Sequence, residues 1–343
     1  MKESHEEVLW KASTEGNLGL VEQYLKKPGF DVNWRDPECL RSSFYRACGH
    51  GRVEVVKLML KDPRIAVSLT NKDSATPFYI ACQEGQMEVI RILKDDGRID
   101  LNQHRDNGST PFYVACEKAR FDVVKELMSY PIIDVNKARD DGATAFYVAC
   151  FKGNLEIVKL MVKDPRIDIN KARDFGATPF YVACSHGRVE VVQELLKEPR
   201  VDLNRTEKDG ATSFYIACQE GQLEVVKLLL KDPRISVNRP TNTGATPLFI
   251  ASQNGHLEIV KWILTRADID LDAKWKGQKS ALEQAKAKKR DEIVELLEEF
   301  QRDRSRTVWR MQKDFGLLGS LYFVNYYFVN YDFFFFSFLF FFL

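Results

Sequence analysis

Charge of a single sign is missing from this chain. Its 343 residues carry 50 lysines and arginines against 49 aspartates and glutamates, a net of +1. The two signs are finely mixed, so no basic face is offered to nucleic acid and none is expected as a partner. Histidine is scarce, with five residues scattered at His5, His50, His104, His186 and His256. No phosphate-cradling glycine loop, no paired catalytic carboxylates and no Ser-His-Asp or Cys-His arrangement can be assembled around them. Catalysis therefore has no visible seat, and neither a cofactor nor a metal is expected. An apolar leader is also lacking, since the chain opens on the acidic Met1-Lys-Glu-Ser-His-Glu-Glu7. That start, with an odd count of seven cysteines, points to a reducing compartment and a cytoplasmic location.

What the chain has in abundance is repetition. Thr76-Pro-Phe-Tyr-Ile-Ala-Cys82 returns as Thr110-Pro-Phe-Tyr-Val-Ala-Cys116 and Thr178-Pro-Phe-Tyr-Val-Ala-Cys184. The alanine of this segment recurs at Ala12, Ala47, Ala81, Ala115, Ala149, Ala183, Ala217, Ala251 and Ala285, a spacing of 34 residues after a first step of 35. Nine units follow, and such regularity predicts a stacked array instead of a globule. Their expected spans are 1–33, 34–68, 69–102, 103–136, 137–170, 171–204, 205–238, 239–272 and 273–300.

Within a unit, Thr76 is the N-cap of a first helix with Pro77 at its first position, where a missing N–H costs nothing. Gly85 ends that helix, and Gly51, Gly153, Gly187, Gly221 and Gly255 occupy the same place, with Ala119 and Lys289 as exceptions. A second helix shows apolar residues three and four apart, as in Leu155, Val158 and Val162. Asp-Pro stops it at Pro63, Pro165 and Pro233. An extended run such as Ile167-Asp-Ile-Asn170 and a finger tip with Gly108, Gly142, Gly176, Gly210 or Gly244 complete the unit.

Thr246-Pro-Leu-Phe-Ile-Ala251, Gly255-His256, Leu257-Glu-Ile-Val-Lys261 and the finger-closing Asn102, Asn136, Asn170, Asn204 and Asn238 together resemble the ankyrin repeat. The resemblance covers roughly residues 5 to 300. It implies an all-α solenoid of helix-turn-helix units with projecting fingers, and a protein–protein interaction scaffold or adaptor whose partner lies against the fingers and first helices. The chain departs from the family in a regular way. Where leucine and histidine usually follow Thr-Pro, it carries Phe78-Tyr79, Phe112-Tyr113, Phe146-Tyr147, Phe180-Tyr181 and Phe214-Tyr215. The family's histidine links neighbouring turns; tyrosine either takes over that link through its hydroxyl or serves as core, and an aromatic stripe at helical spacing favours core.

Six of the seven cysteines, Cys48, Cys82, Cys116, Cys150, Cys184 and Cys218, recur once per unit. Adjacent packed helices lie about 8–10 Å apart, beyond the roughly 4.4–6.8 Å between Cα atoms that a disulfide needs. Buried thiols are the expectation.

Variation concentrates just after each cysteine: Gly49-His50, Gln83-Glu84, Glu117-Lys118, Phe151-Lys152, Ser185-His186 and Gln219-Glu220. Phe151 is the outlier, and Phe175 stands at a finger tip usually occupied in this chain by asparagine or aspartate. Large aromatic side chains at solvent positions are candidate anchors for a partner. Phe151, Lys152, Phe175 and His186 are therefore expected to form the middle of a protein-binding groove on a monomer.

The last unit replaces glycine with Lys289 and an apolar residue with Asp291, as a terminal cap requires. Beyond it, 301–315 reads as a basic linker. The tail 316–343 is rich in phenylalanine, holds the single charge Asp332 after Leu317, and duplicates Tyr322-Phe-Val-Asn-Tyr326 as Tyr327-Phe-Val-Asn-Tyr331. Its length permits a membrane span, which would make the protein a tail-anchored adaptor on a cytoplasmic membrane face. Its near-homopolymeric run equally fits a translated thymine-rich tract. A third reading is a substrate-recruiting subunit of an enzyme complex.

Overall fold

A computed structural model describes residues 4–318 of the protein. The tail expectation for 316–343 lies outside the described residues from position 319 onward. Among the described residues no helix is long and apolar enough to cross a membrane.

The described residues form α-helices with no named strand, only isolated bridges between Arg35 and Ser42 and between Trp275 and Lys279. From His5 to Arg302 the helices fall into nine consecutive pairs, such as Ala145–Lys152 with Leu155–Val162. The caps explain where each pair begins. The Thr144 and Thr178 hydroxyls accept from the backbone N–H of Tyr147 and Tyr181, both at 3.1 Å. Thr76, Thr110, Thr212 and Thr246 do the same, and each such cap contributes about 1 kcal/mol.

Two compact units emerge, Met1–Lys208 and Asp209–Leu343. Within each, first helices pack on first helices, and the residues at that contact are fixed by space. The register alanines Ala47, Ala81, Ala115, Ala149, Ala183, Ala217, Ala251 and Ala285 are all 0% exposed, so a larger side chain there would push neighbouring helices apart. Phe44, Phe78, Phe112, Phe146, Phe180 and Phe214 are buried beside them, each burial stabilising by about 2–3 kcal/mol. The six repeated cysteines are fully buried and unpaired, and burial pushes the thiols of Cys48, Cys82 and Cys218 well up.

The run expected to be extended is instead a pair of turns. In Ile167-Asp-Ile-Asn170 the N–H of Ile167 donates to the Asp164 carbonyl at 3.2 Å, and that of Lys171 to the Asp168 carbonyl at 3.3 Å. The cause is local: the Asp164 and Asp168 carboxylates accept from the backbone two residues on, at Arg166 and Asn170. Aspartate closes turns in this way in preference to extended chain.

Three sets of hydrogen bonds run between neighbouring repeats. The Asn136 amide donates to the Arg166 carbonyl at 2.6 Å and accepts from the Asp168 N–H at 2.9 Å; Asn33, Asn102, Asn170 and Asn238 form the same clasp. Arginine two residues beyond the helix-stopping acid binds that acid and also reaches back to the preceding second helix. Arg166 pairs with Asp164 at 2.7 Å and donates to the Met128 carbonyl at 2.6 Å, as Arg64 and Arg98 do at Leu25 and Leu60. Finger tips join by backbone bonds, with Asp140 N–H to the Asn107 carbonyl at 3.2 Å and Asp174 N–H to the Asp141 carbonyl at 3.0 Å. That ladder explains the tip glycines. Gly142 has φ of 79°, and a Cβ on it would meet the Asp174 backbone nitrogen at 2.8 Å, so the position demands both a left-handed backbone and an empty side.

Within the 301–315 span, expected as a basic linker, Arg304–Asp314 is a helix. It buries Thr307, Val308 and Met311, donates from Gln312 to the Thr265 carbonyl at 2.9 Å, and is followed by Phe315 stacked on Trp262 at 4.4 Å. Its charges mask three apolar contacts at helical spacing.

Candidate protein-binding surface

The variable slot lies at the C-terminal end of each first helix, and its backbone is held by the next repeat. Arg120 donates to the Gln83 carbonyl at 2.8 Å and Arg188 to that of Phe151 at 2.9 Å, while Asn154 holds the carbonyl of Cys116, just before its slot, at 2.8 Å. With the backbone fixed, the side chains at these positions are free to differ. Phe151 is half-buried, not solvent-exposed as its position suggests, because its ring packs edge-on against His186 at 4.6 Å with an interplanar angle of 70°. The Lys152 ammonium lies 5.3 Å from the same ring. His186 fixes its own orientation by donating from Nδ1 to the Val182 carbonyl at 3.1 Å. Phe151, Lys152 and His186 are thus brought together across two neighbouring repeats.

Phe175 belongs to the finger of the second of these repeats. Its side chain is 68% exposed, with the Lys208 ammonium 4.9 Å from the ring. Its backbone has φ of 70° inside the short turn Asp174–Gly176, a conformation that a bulky residue adopts rarely and at a cost of order 1–3 kcal/mol. The corresponding residues Asn107 and Asp141 are not among those with positive φ.

A further element escaped the sequence reading. The fingers of three successive repeats place Arg105, Arg139 and Arg173 over Tyr79, Tyr113 and Tyr147, at 5.5, 5.4 and 5.8 Å from the rings. Arg139 also donates to the Tyr113 hydroxyl at 3.2 Å. The tyrosine rings are core, between 2% and 6% exposed, while their hydroxyls face the next finger. Burial raises the Tyr113 and Tyr147 pKa values against the lowering effect of the arginines. Tyrosine therefore combines the two roles that the sequence left open. The signal was a fixed offset of 26 residues between Tyr79, Tyr113, Tyr147 and the three arginines.

The family profile for ankyrin repeats (3 copies) matches residues 9–104, 97–173, 165–241 and 235–303. The chain belongs to the ankyrin-repeat family. No curated protein matches it. Ankyrin repeats generally mediate protein–protein interaction, and the family is typically non-catalytic.

Proposed function

We propose that the protein is a scaffold or adaptor that binds a protein partner on the surface formed by the fingers and first-helix ends, with Phe151, Lys152, Phe175 and His186 at the centre of the contact and no catalysis of its own. The observation that carries this reading is Phe175. A large aromatic ring held in solvent on a left-handed backbone destabilises the free protein, and an aromatic anchor entering a partner's pocket would offset that cost. Phe151 supports the reading from the neighbouring helix end, since His186 and Lys152 hold its ring in place and little side-chain freedom remains to be lost on binding.

The test is a Phe151→Ala, Phe175→Ala variant of the full chain compared with wild type by affinity capture and quantitative mass spectrometry. Partner recovery should fall at least tenfold while the far-UV circular dichroism stays unchanged. A variant that keeps its full set of partners would remove the proposal.

A further inference from the structure

Resting on that surface as the docking site, the charges that flank it specify the partner's chemistry. Three consecutive finger tips present Asp106, Asp140 and Asp174, all exposed. Their register is fixed by the backbone ladder, in which the N–H of Asp140 and Asp174 each bonds the preceding tip. No described cation pairs with these three carboxylates; the finger arginines are taken by Asp73 and Asp141 instead. At the opposite end of the first helices in the same repeats stand Lys118 and Lys152, also exposed. Lys118 is 4.0 Å from Glu117, the outer limit of an ion pair, and Lys152 lies over Phe151. One repeat earlier the signs reverse, with Lys72 on the finger and Glu84 at the helix end. The acid-on-finger, base-on-helix polarity is thus confined to the stretch that also carries Phe151 and Phe175.

The dimensions of this strip fit one element. A first helix of seven or eight residues is about 11 Å long, and the finger-tip acids lie four residues before its N-cap, so the acidic and basic rows stand at least one helix diameter apart, about 10–12 Å. Along each row, charges recur at the spacing of packed helices, about 8–10 Å, close to the roughly 10.5 Å covered by seven residues of an α-helix. We propose that the partner is an amphipathic helix of about two heptads, whose apolar stripe meets Phe151 and Phe175 while basic residues along one edge face Asp106, Asp140 and Asp174 and acidic residues along the other face Lys118 and Lys152. Turning such a helix end for end exchanges its edges, so the polarity of the strip also fixes the direction in which it runs. Opposite charges in register mainly set partner choice and association rate, and like charges in register repel.

Two fluorescein-labelled synthetic helices of identical composition test this against the full chain by anisotropy. One segregates acidic and basic residues onto opposite edges of a Leu/Phe stripe; the other interleaves them. The segregated peptide should bind at least tenfold more tightly, and Lys118→Glu with Lys152→Glu should abolish that preference without altering the circular dichroism. Equal affinity, absent binding of both peptides, or a preference that survives the double reversal would overturn the inference. Because the docking reading is judged separately, by partner loss in the Phe151→Ala, Phe175→Ala variant, the two can fail independently.

Discussion

Ala119 and Lys289 show how much a single backbone conformation decides in this protein. Gly85, Gly153 and Gly255 end their first helices with φ near 80°, and a Cβ on Gly153 would meet the Arg188 side chain at 2.9 Å. Ala119 and Lys289 hold the same place with φ of 54° and 55°, at the roughly 1–2 kcal/mol that a left-handed L-residue costs. Glycine would relieve that strain but loses about 0.5–1 kcal/mol through its freer unfolded chain. Ala119→Gly should therefore raise unfolding stability by up to about 1 kcal/mol in urea titration, whereas Gly153→Ala should lower it by more than 1 kcal/mol. The glycines were legible in the sequence as helix stops. The arginine that closes on them was not, because Arg120 and Arg188 act on a carbonyl 37 residues away and leave no local pattern.

At the scale of the repeat, the links between neighbours are polar as well as apolar, and each kind has its own signature. The helices, their caps and the cysteine core were readable from Thr76, Pro77 and Cys82, since capping and periodic burial act within a few residues. The Asn clasp was visible only as a recurring letter, and its purpose lies in the next repeat. Asn136→Ala removes two hydrogen bonds at once and should cost about 1–2 kcal/mol, measurable as a lowered urea midpoint with unchanged far-UV dichroism. The Asp–Arg links make stability depend on pH. Side-chain hydrogen bonds from Arg64, Arg98, Arg166 and Arg234 hold Asp62, Asp96, Asp164 and Asp232 below the usual carboxylate range. A depressed folded pKa gives stability that is fully present above the unfolded value of about 3.9 and is lost as pH falls through the folded value. The urea midpoint should thus drop between pH 5 and pH 2, and Asp164→Asn should shrink that drop.

At the scale of the whole molecule, stability is held in contacts between neighbours, so the face they build is available to vary. The alanines, cysteines and phenylalanines at the helix contacts barely change from unit to unit, while the residue pairs at 83–84, 117–118, 151–152 and 185–186 differ from one another. The sequence pointed to Phe151, Lys152, Phe175 and His186 through that contrast. What it could not convey was that three of them touch, or that Phe175 sits on a strained turn, because both depend on how one repeat meets the next.

Removing residues 137–170, one full period, rejoins Asn136 to Lys171 in the same register and tests the nearest-neighbour stack directly. If each module is held only by its neighbours, the shortened chain should fold, lose helical signal in proportion to the missing module, and unfold cooperatively with a smaller urea m-value. A shortened chain without helical dichroism or a cooperative transition would contradict the account.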